Sequence, residues 1–196
     1  MNIAALDLAI EQWLYASRSP FGLYFFSFLT ELGSGVVIAS ITALTVFLLW
    51  KKGYVGYAAG LFASVTGAIA VSELLKFLVH RARPPIEWHA VVETSYSFPS
   101  NHATASAALY GFLAYFAWQF APKKWRGVLV ALFVIIIGTT GFSRMYLGVH
   151  YPTDVLGGFI IGALFVLVGK YLPKIIQVRR SGQPSDTAPV QVTPRK

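Results

Sequence analysis

Residues 53–72 read GYVGYAAGLFASVTGAIAVS, twenty consecutive residues without a formal charge. A helix of about 20 mostly apolar residues is long enough to cross the hydrocarbon core of a bilayer, so this stretch is predicted to be a membrane span. Four further uncharged runs of similar length occupy residues 32–50, 103–122, 127–143 and 155–169. The pattern therefore predicts an all-α fold, a polytopic membrane helix bundle.

The N-terminal region differs from these runs because it carries two carboxylates, Asp7 and Glu11. A bilayer core tolerates such groups poorly, so residues 1–18 are predicted to form an amphipathic helix at the membrane interface. A short apolar run, residues 20–32, follows and is predicted to be the first span. Together with the five longer runs, it gives about six transmembrane helices.

The charges predict the orientation of the bundle. The 196-residue chain carries 16 Lys+Arg against 8 Asp+Glu, and nine of the cations fall on one side of a six-span arrangement. The positive-inside rule makes that side cytoplasmic, so we expect a multi-pass protein of the cytoplasmic membrane with lipid partners and no nucleic acid. Residues 181–196 are predicted to be a disordered cytoplasmic tail, which leaves residues 1–180 as one membrane domain.

The opposite side holds few cations, and they fall in two polar segments, residues 76–102 and 143–154. Each polar residue there, taken alone, could be an interfacial anchor or a helix cap, but ionisable groups at membrane depth usually mark function. One site for a multiply charged oxyanion such as phosphate would explain them together. Its candidate ligands are three cations and a hydroxyl at a predicted helix start: Lys76, Arg83, Arg144 and Ser100.

Two histidines in these segments are candidates for chemistry. His150 and Asp154 are four residues apart, so they can face each other across one helical turn or its entry. A carboxylate that holds one ring nitrogen fixes the tautomer and leaves the other nitrogen free as a nucleophile. His102 is then the candidate acid that protonates the leaving oxygen.

These residues resemble the motifs of the type 2 phosphatidic acid phosphatase superfamily. Lys76 and Arg83-Pro84 match its first motif, a Lys, six residues and then Arg-Pro. Pro99-Ser100-Asn101-His102 matches its second motif, Pro-Ser-Gly-His, with one departure at Asn101. The third motif, Ser-Arg, five residues, His, three residues and Asp, is matched in full by residues 143–154. The chain is most similar to small bacterial members that act on phosphatidylglycerophosphate or undecaprenyl pyrophosphate.

The resemblance implies a lipid phosphatase that needs neither a metal nor another cofactor. It implies that His150 forms a phosphohistidine, that Asp154 orients it, and that His102 acts first as general acid and then as base for the hydrolytic water. It implies a substrate such as phosphatidylglycerophosphate, phosphatidic acid or undecaprenyl pyrophosphate, hydrolysed at the outer face. The implied phosphate ligands are Lys76, Arg83, Ser100, Asn101 and Arg144.

The departure at Asn101 predicts a weakened site. Glycine would let the backbone N–H approach the phosphate and would tolerate positive φ, where Asn is the next best residue. The side chain is expected to add bulk beside the phosphate, so Asn101→Gly is predicted to raise kcat/KM by about tenfold or more.

Several other functions remain open at this stage. The chain could be a catalytically weakened lipid-phosphate binder or a transporter with cations lining a path. It could be an intramembrane serine hydrolase with Ser100, His150 and Asp154 as its triad, although that leaves the cations without a role. A vanadium haloperoxidase would use the same oxyanion pocket, and a metal site from His102, His150 and Asp154 is a further alternative.

Overall fold

The computed structural model describes residues 2–181, which form seven α-helices and no strand, so the all-α prediction is confirmed. Two short 3-10 helices interrupt the connections, Glu31–Gly33 and Ile86–Trp88. Of the predicted tail, Ser181 ends the last helix, and the rest lies outside the described residues. The α-helices are α1 Ile3–Ala16, α2 Pro20–Thr30, α3 Gly35–Lys51, α4 Val55–Val79, α5 Asn101–Phe120, α6 Lys123–Tyr146 and α7 Pro152–Ser181.

Side-chain caps explain where the N-terminal helices begin. The side chain of Asn2 accepts the Ala5 N–H at 2.8 Å at the start of α1. Ser19 accepts the Gly22 N–H at 3.0 Å at the start of α2, where Pro20 occupies the first helical position. Proline suits that position because its missing N–H would have no partner there. The two helices are therefore separate, and the break lies between the predicted segments 1–18 and 20–32.

Three of the described helices are long and apolar enough to cross a membrane: α4, α6 and the part of α7 that spans Pro152–Ile176. A fourth candidate is the pair formed by Pro20–Gly33 and Gly35–Lys51, which is bent by 40° and would be a broken span. Helix α5 is not among these candidates, because residues such as Thr104, Ser106 and Gln119 lower its mean hydropathy. The count of six spans therefore stays a prediction.

Helix α1 presents its polar residues to the rest of the protein and its apolar residues outward. Asp7 and Glu11 are 2% and 0% exposed, whereas Ile3 and Trp13 are 71% and 66% exposed. A helix with this distribution suits a position between the bundle and lipid headgroups, and its interfacial location stays a prediction.

Helix α5 lies at the centre of the bundle, where it packs against α4, α6 and α7. Glycines allow the close approach: a Cβ at Gly60 would lie 2.4 Å from the Gly169 carbonyl oxygen, and one at Gly162 would lie 2.6 Å from the Thr104 carbonyl oxygen. The packing also brings together the N-termini of α5 and α7, because the Ser100 N–H donates to the Asp154 carbonyl at 3.1 Å. Both ends face the same polar region.

Candidate active site

A polar cavity of about 220 Å³ opens at this end of the bundle. Five of the eight predicted site residues line it: Lys76, Arg83, Asn101, His102 and His150. The other three lie directly behind this lining. Arg144 binds the lining residue Glu93, Asp154 faces His150, and Ser100 precedes Asn101 at the start of α5. The structure thus brings all eight residues into one region.

The N-terminus of α5 offers unpaired donors to this region. The first N–H groups of a helix have no acceptor within the helix, and the Thr104 N–H is the first in α5 to bond back, to the Ser100 carbonyl. Ser100 is fully buried, and its hydroxyl has no hydrogen-bond partner among the described residues. An anion at this helix end would receive both kinds of donor.

Lys76 and Arg144 are almost completely buried, with 3% and 2% of each residue exposed. The Lys76 ammonium donates to the Tyr96 carbonyl at 2.5 Å, and Nη1 of Arg144 donates to the Thr30 hydroxyl at 3.0 Å. Burial of a cation is costly unless opposite charge or hydrogen bonds compensate it. These two side chains retain donors beyond the ones described, so an anion would reduce the cost of their burial.

Glu93 supplies part of that compensation, and its role was not predicted from the sequence. Its carboxylate joins the two arginines of the site: one oxygen accepts from Nη2 of Arg83 at 3.2 Å, and the other accepts from Nη2 of Arg144. The Glu93 side chain is 23% exposed and lines the cavity. A carboxylate between two guanidiniums takes the kind of position that two phosphate oxygens would take.

His150 follows a tight loop that depends on Gly148. This glycine has φ +76°, and a Cβ there would lie 2.2 Å from the Trp88 carbonyl oxygen. The loop places the His150 ring with Nδ1 3.6 Å from Oδ2 of Asp154 and Nε2 3.2 Å from Nη1 of Arg83. A 3.6 Å separation is longer than a hydrogen bond, so the two side chains face each other without forming one.

The surroundings of His150 keep its ring neutral. Because Arg83 can only donate, Nε2 is the acceptor and the ring proton is assigned to Nδ1, on the side of Asp154. Burial, together with the charges of Arg83 and Arg144, lowers the pKa of His150 to about 3, although Asp154 opposes the shift. A neutral ring with an unprotonated Nε2 is the form that a nucleophile requires, and here Arg83 occupies the position that a phosphoryl group would take.

Asn101 does not have the positive φ that would favour glycine at this position. Asn101 begins α5 with helical geometry, and His80, with φ 50°, is the non-glycine residue with positive φ in the described part of the chain. The Asn101 side chain is tied to α4, because its Oδ1 accepts from the Ser72 hydroxyl at 2.6 Å and its amide donates to the Glu73 carboxylate. The amide therefore acts as a link between α4 and α5.

We expect Asn101→Gly to leave kcat/KM within about threefold of the wild type, in place of the gain expected from the sequence. Loss of the two side-chain hydrogen bonds should lower stability by about 1–2 kcal/mol, or a few degrees in Tm. Ser72→Ala, which removes one partner of the same amide, is the matched variant and should lower Tm by a smaller amount. A tenfold rise in kcat/KM for Asn101→Gly would restore the original expectation.

Asp154 has more partners than the sequence indicated. Its Oδ1 accepts from Nη1 of Arg81 at 2.5 Å, and its Oδ2 accepts from the Ser97 hydroxyl at 2.5 Å and from the Tyr151 N–H at 2.9 Å. Arg81 and Ser97 both lie within the polar segment 76–102, and this position was the feature of the sequence that could have identified them as site residues. Asp7, the second partner of Arg81, gave no signal beyond being a carboxylate in an apolar helix.

Among the described residues, no group of three or more His, Cys, Asp or Glu side chains is arranged to hold a metal ion. The alternative of a metal site formed by His102, His150 and Asp154 therefore finds no support in the geometry.

The bundle of apolar helices defines a membrane protein. Its polar end combines buried cations, a free helix N-terminus and a histidine–aspartate pair, a set of groups that suits an oxyanion. The PAP2 superfamily model matches residues 57–176, and the chain belongs to this superfamily. The resemblance predicted from the three motifs is thereby confirmed.

Relatives of the chain carry lipid phosphatase names. Phosphatidylglycerophosphatase B of Bacillus subtilis (strain 168) is 39% identical over 113 residues, 56% of this chain and 55% of that relative. Lipid A 4'-phosphatase of Bacteroides thetaiotaomicron is 27% identical over 175 residues, 82% of this chain and 73% of that relative. The chain thus spans about half the length of the first relative and about three quarters of the second.

A solved structure also matches the fold. The crystal structure of the first transmembrane PAP2 type phosphatidylglycerolphosphate phosphatase from Bacillus subtilis superimposes with a TM-score of 0.81 at 27% sequence identity. The match covers 89% of this chain and 87% of that chain, so it extends beyond the matched family region, residues 57–176.

Proposed function

We propose that the chain is an integral-membrane phosphatase that hydrolyses lipid phosphates through a phosphohistidine at His150. The observation that carries this proposal is the joint lining of one cavity by a neutral histidine, the cations Lys76 and Arg83, and the residues that begin α5, with the buried Arg144 behind them. Each group suits a different part of phosphoryl transfer: the cations and N–H groups bind the oxygens, and the histidine attacks the phosphorus.

The reaction would proceed in two steps. In the first, Nε2 of His150 attacks phosphorus, the P–O bond to the lipid breaks, and His102, protonated when the negatively charged phosphate is bound, gives its proton to the leaving oxygen. In the second, His102 takes a proton from water, the water oxygen attacks the phosphohistidine, and the N–P bond breaks to release phosphate. The negative charge on the transferred oxygens is stabilised throughout by Lys76, Arg83, Arg144 and Ser100.

An apolar groove supports a lipid substrate. It has a volume of about 560 Å³, lies between α3 and α4, and is lined by residues such as Val46, Phe47 and Phe62. It shares three lining residues with the polar cavity, namely Gly35, Ile38 and Ile69. A phosphate bound in the cavity would therefore leave an attached hydrocarbon chain at the entrance of the groove, where its burial is favourable.

The serine hydrolase alternative is less well supported. A triad would need the Ser100 hydroxyl bonded to His150, but that hydroxyl has no partner and Nε2 of His150 faces Arg83. A passive binder or transporter would use the cations but would have no clear use for the alignment of His150 with Asp154.

Phosphate release from purified protein in detergent tests the proposed function. The substrate panel contains phosphatidylglycerophosphate, phosphatidic acid and undecaprenyl pyrophosphate, and a carboxylic ester lipid serves as the control for serine hydrolase activity. We expect phosphate release from at least one lipid phosphate and inhibition by orthovanadate. Ester hydrolysis without phosphate release would contradict the proposal.

We further propose that the site faces the outside of the cytoplasmic membrane. The chain has no cysteine, so single cysteines can be introduced and labelled. A cysteine at Val92, which is 91% exposed in the loop between α4 and α5, should react with an impermeant maleimide in intact cells. One at Lys124, exposed at the opposite end of the bundle, should react only after permeabilisation. The reverse labelling would place the site inside.

We expect Glu93→Gln to strengthen orthovanadate inhibition by about tenfold. The neutral amide cannot compete with an oxyanion for Arg83 and Arg144, and it removes a negative charge that repels one. Glu87→Gln, an exposed position in the same loop, is the matched control and should leave the inhibition constant unchanged. Weaker inhibition in Glu93→Gln would show that the carboxylate chiefly holds the arginines in place.

A further inference from the structure

A chain of ion pairs connects the site to the N-terminal helix. Nη1 of Arg81 donates to Oδ1 of Asp154 at 2.5 Å, and Nη2 of the same guanidinium donates to Oδ2 of Asp7 at 2.7 Å. Asp7 and Asp154 are nearly or fully buried, whereas 26% of the Arg81 side chain is exposed. One guanidinium therefore bridges two buried carboxylates that belong to α1 and α7.

Asp7 also holds the first turn of α7. Its Oδ1 accepts the Thr153 N–H at 3.1 Å, and its Oδ2 accepts the Thr153 hydroxyl, which itself accepts from Nη1 of Arg81 at 2.7 Å. The guanidinium of Arg81 lies 4.5 Å from the centre of the Tyr151 ring. These contacts fix the position of Arg81 relative to the residues that flank Asp154.

The two oxygens of Asp154 have separate tasks in this arrangement. Oδ1 is occupied by Arg81, and Oδ2 faces Nδ1 of His150 while accepting from Ser97 and the Tyr151 N–H. An arginine with a free guanidinium edge tends to bind a carboxylate through both oxygens. Because Asp7 occupies Nη2, Arg81 is restricted to one oxygen of Asp154.

We propose that Asp7 is a positioning residue for the phosphoryl transfer, acting through Arg81 to keep Oδ2 of Asp154 directed at His150. This inference rests on the proposed function, and it gives α1 a role in a reaction whose motifs all lie between residues 76 and 154. Asp7 also adds a second negative charge to the network. The network of two carboxylates and one guanidinium keeps a net negative charge beside the ring, which favours the positive charge that develops on His150 as the N–P bond forms.

The test compares Asp7→Asn with Glu11→Gln in the full-length protein, using phosphate release from a short-chain phosphatidic acid in detergent. Glu11 is a matched control because it lies one turn further along α1, is fully buried, and has carboxylate oxygens with no hydrogen-bond partner among the described residues. Burial raises the pKa of Glu11 to about 8, so its side chain is largely neutral near pH 7 and glutamine is a close substitute.

We expect Asp7→Asn to lower kcat by at least about tenfold while KM and the orthovanadate inhibition constant stay within twofold, because the phosphate ligands do not contact Asp7. Glu11→Gln should match the wild type in all three. Equal kcat in the two variants would overturn the proposal. So would a rise in KM and in the inhibition constant with kcat unchanged, because that result would mean that α1 supports the phosphate pocket instead.

Arg81→Lys tests the same inference if Asp7→Asn does not fold. A single ammonium cannot hold two carboxylates in the fixed geometry of a guanidinium, so kcat should fall with KM unchanged. Wild-type kcat in Arg81→Lys would contradict the positioning role. If the wild type releases phosphate while these variants keep its kcat, the positioning role alone has failed. If the wild type releases no phosphate from any lipid phosphate, the proposed function has failed.

Discussion

His150→Ala is expected to lower phosphate release by about 10⁴-fold or more, because in the proposed mechanism the imidazole forms the covalent intermediate and no neighbouring side chain can replace it. The measurement is steady-state release from the best lipid phosphate in detergent. His150 is almost completely buried but lies in a loop between α6 and α7, so the bundle should persist without its ring.

The control variant is His80→Asn, which changes an exposed histidine of the same face. Asparagine tolerates the positive φ of that position, so the substitution should leave activity unchanged. Orthovanadate binding by His150→Ala, followed as protection against thermal unfolding, reports whether the pocket survives. Substantial turnover by a His150→Ala protein that still binds orthovanadate would rule out histidine as the nucleophile.

Asp154→Asn is expected to lower kcat by about 10³-fold with little change in KM. The amide has nearly the same shape, but it no longer selects the tautomer that carries the proton on Nδ1 and the free electron pair on Nε2. It also leaves Arg81 with one carboxylate partner instead of two. If kcat falls much more in Asp154→Asn than in Asp7→Asn, Asp154 acts directly on the His150 ring and Asp7 acts through Asp154. Wild-type kcat in Asp154→Asn would exclude Asp154 from the mechanism.

The helices were predictable from the sequence because apolar runs of membrane length have few alternatives to helix. The break before Pro20 was predictable from proline and its preceding serine cap. The central position of α5 was not, because it follows from tertiary packing of small residues such as Ala103 and Ala108 against neighbouring helices. The polar face of α1 also turned inward for a reason outside its own sequence, namely the guanidinium of Arg81.

The residues of the three sequence motifs lie in or directly behind one cavity, as the sequence predicted. His150 and Asp154 lie face to face as their four-residue separation predicted, although their 3.6 Å distance leaves the hydrogen bond unmade. Glu93 and Asp7 could not be predicted, because a single carboxylate in a loop or a helix does not show which distant cation it meets. The partners of Asn101 could not be predicted either, because they lie on α4: Asn101 begins α5, and its Oδ1 accepts from the Ser72 hydroxyl.

The central claim is that phosphate passes through a covalent bond to His150, and trapping that intermediate tests it most directly. His102→Ala should slow hydrolysis of the intermediate, because the base for water is removed while the nucleophile remains. After brief reaction with a ³²P-labelled lipid phosphate and denaturation, the account predicts label on His150 that is stable to base and labile to acid. Label on Ser100, or turnover by the wild type with no labelled protein under any quench, would contradict the account.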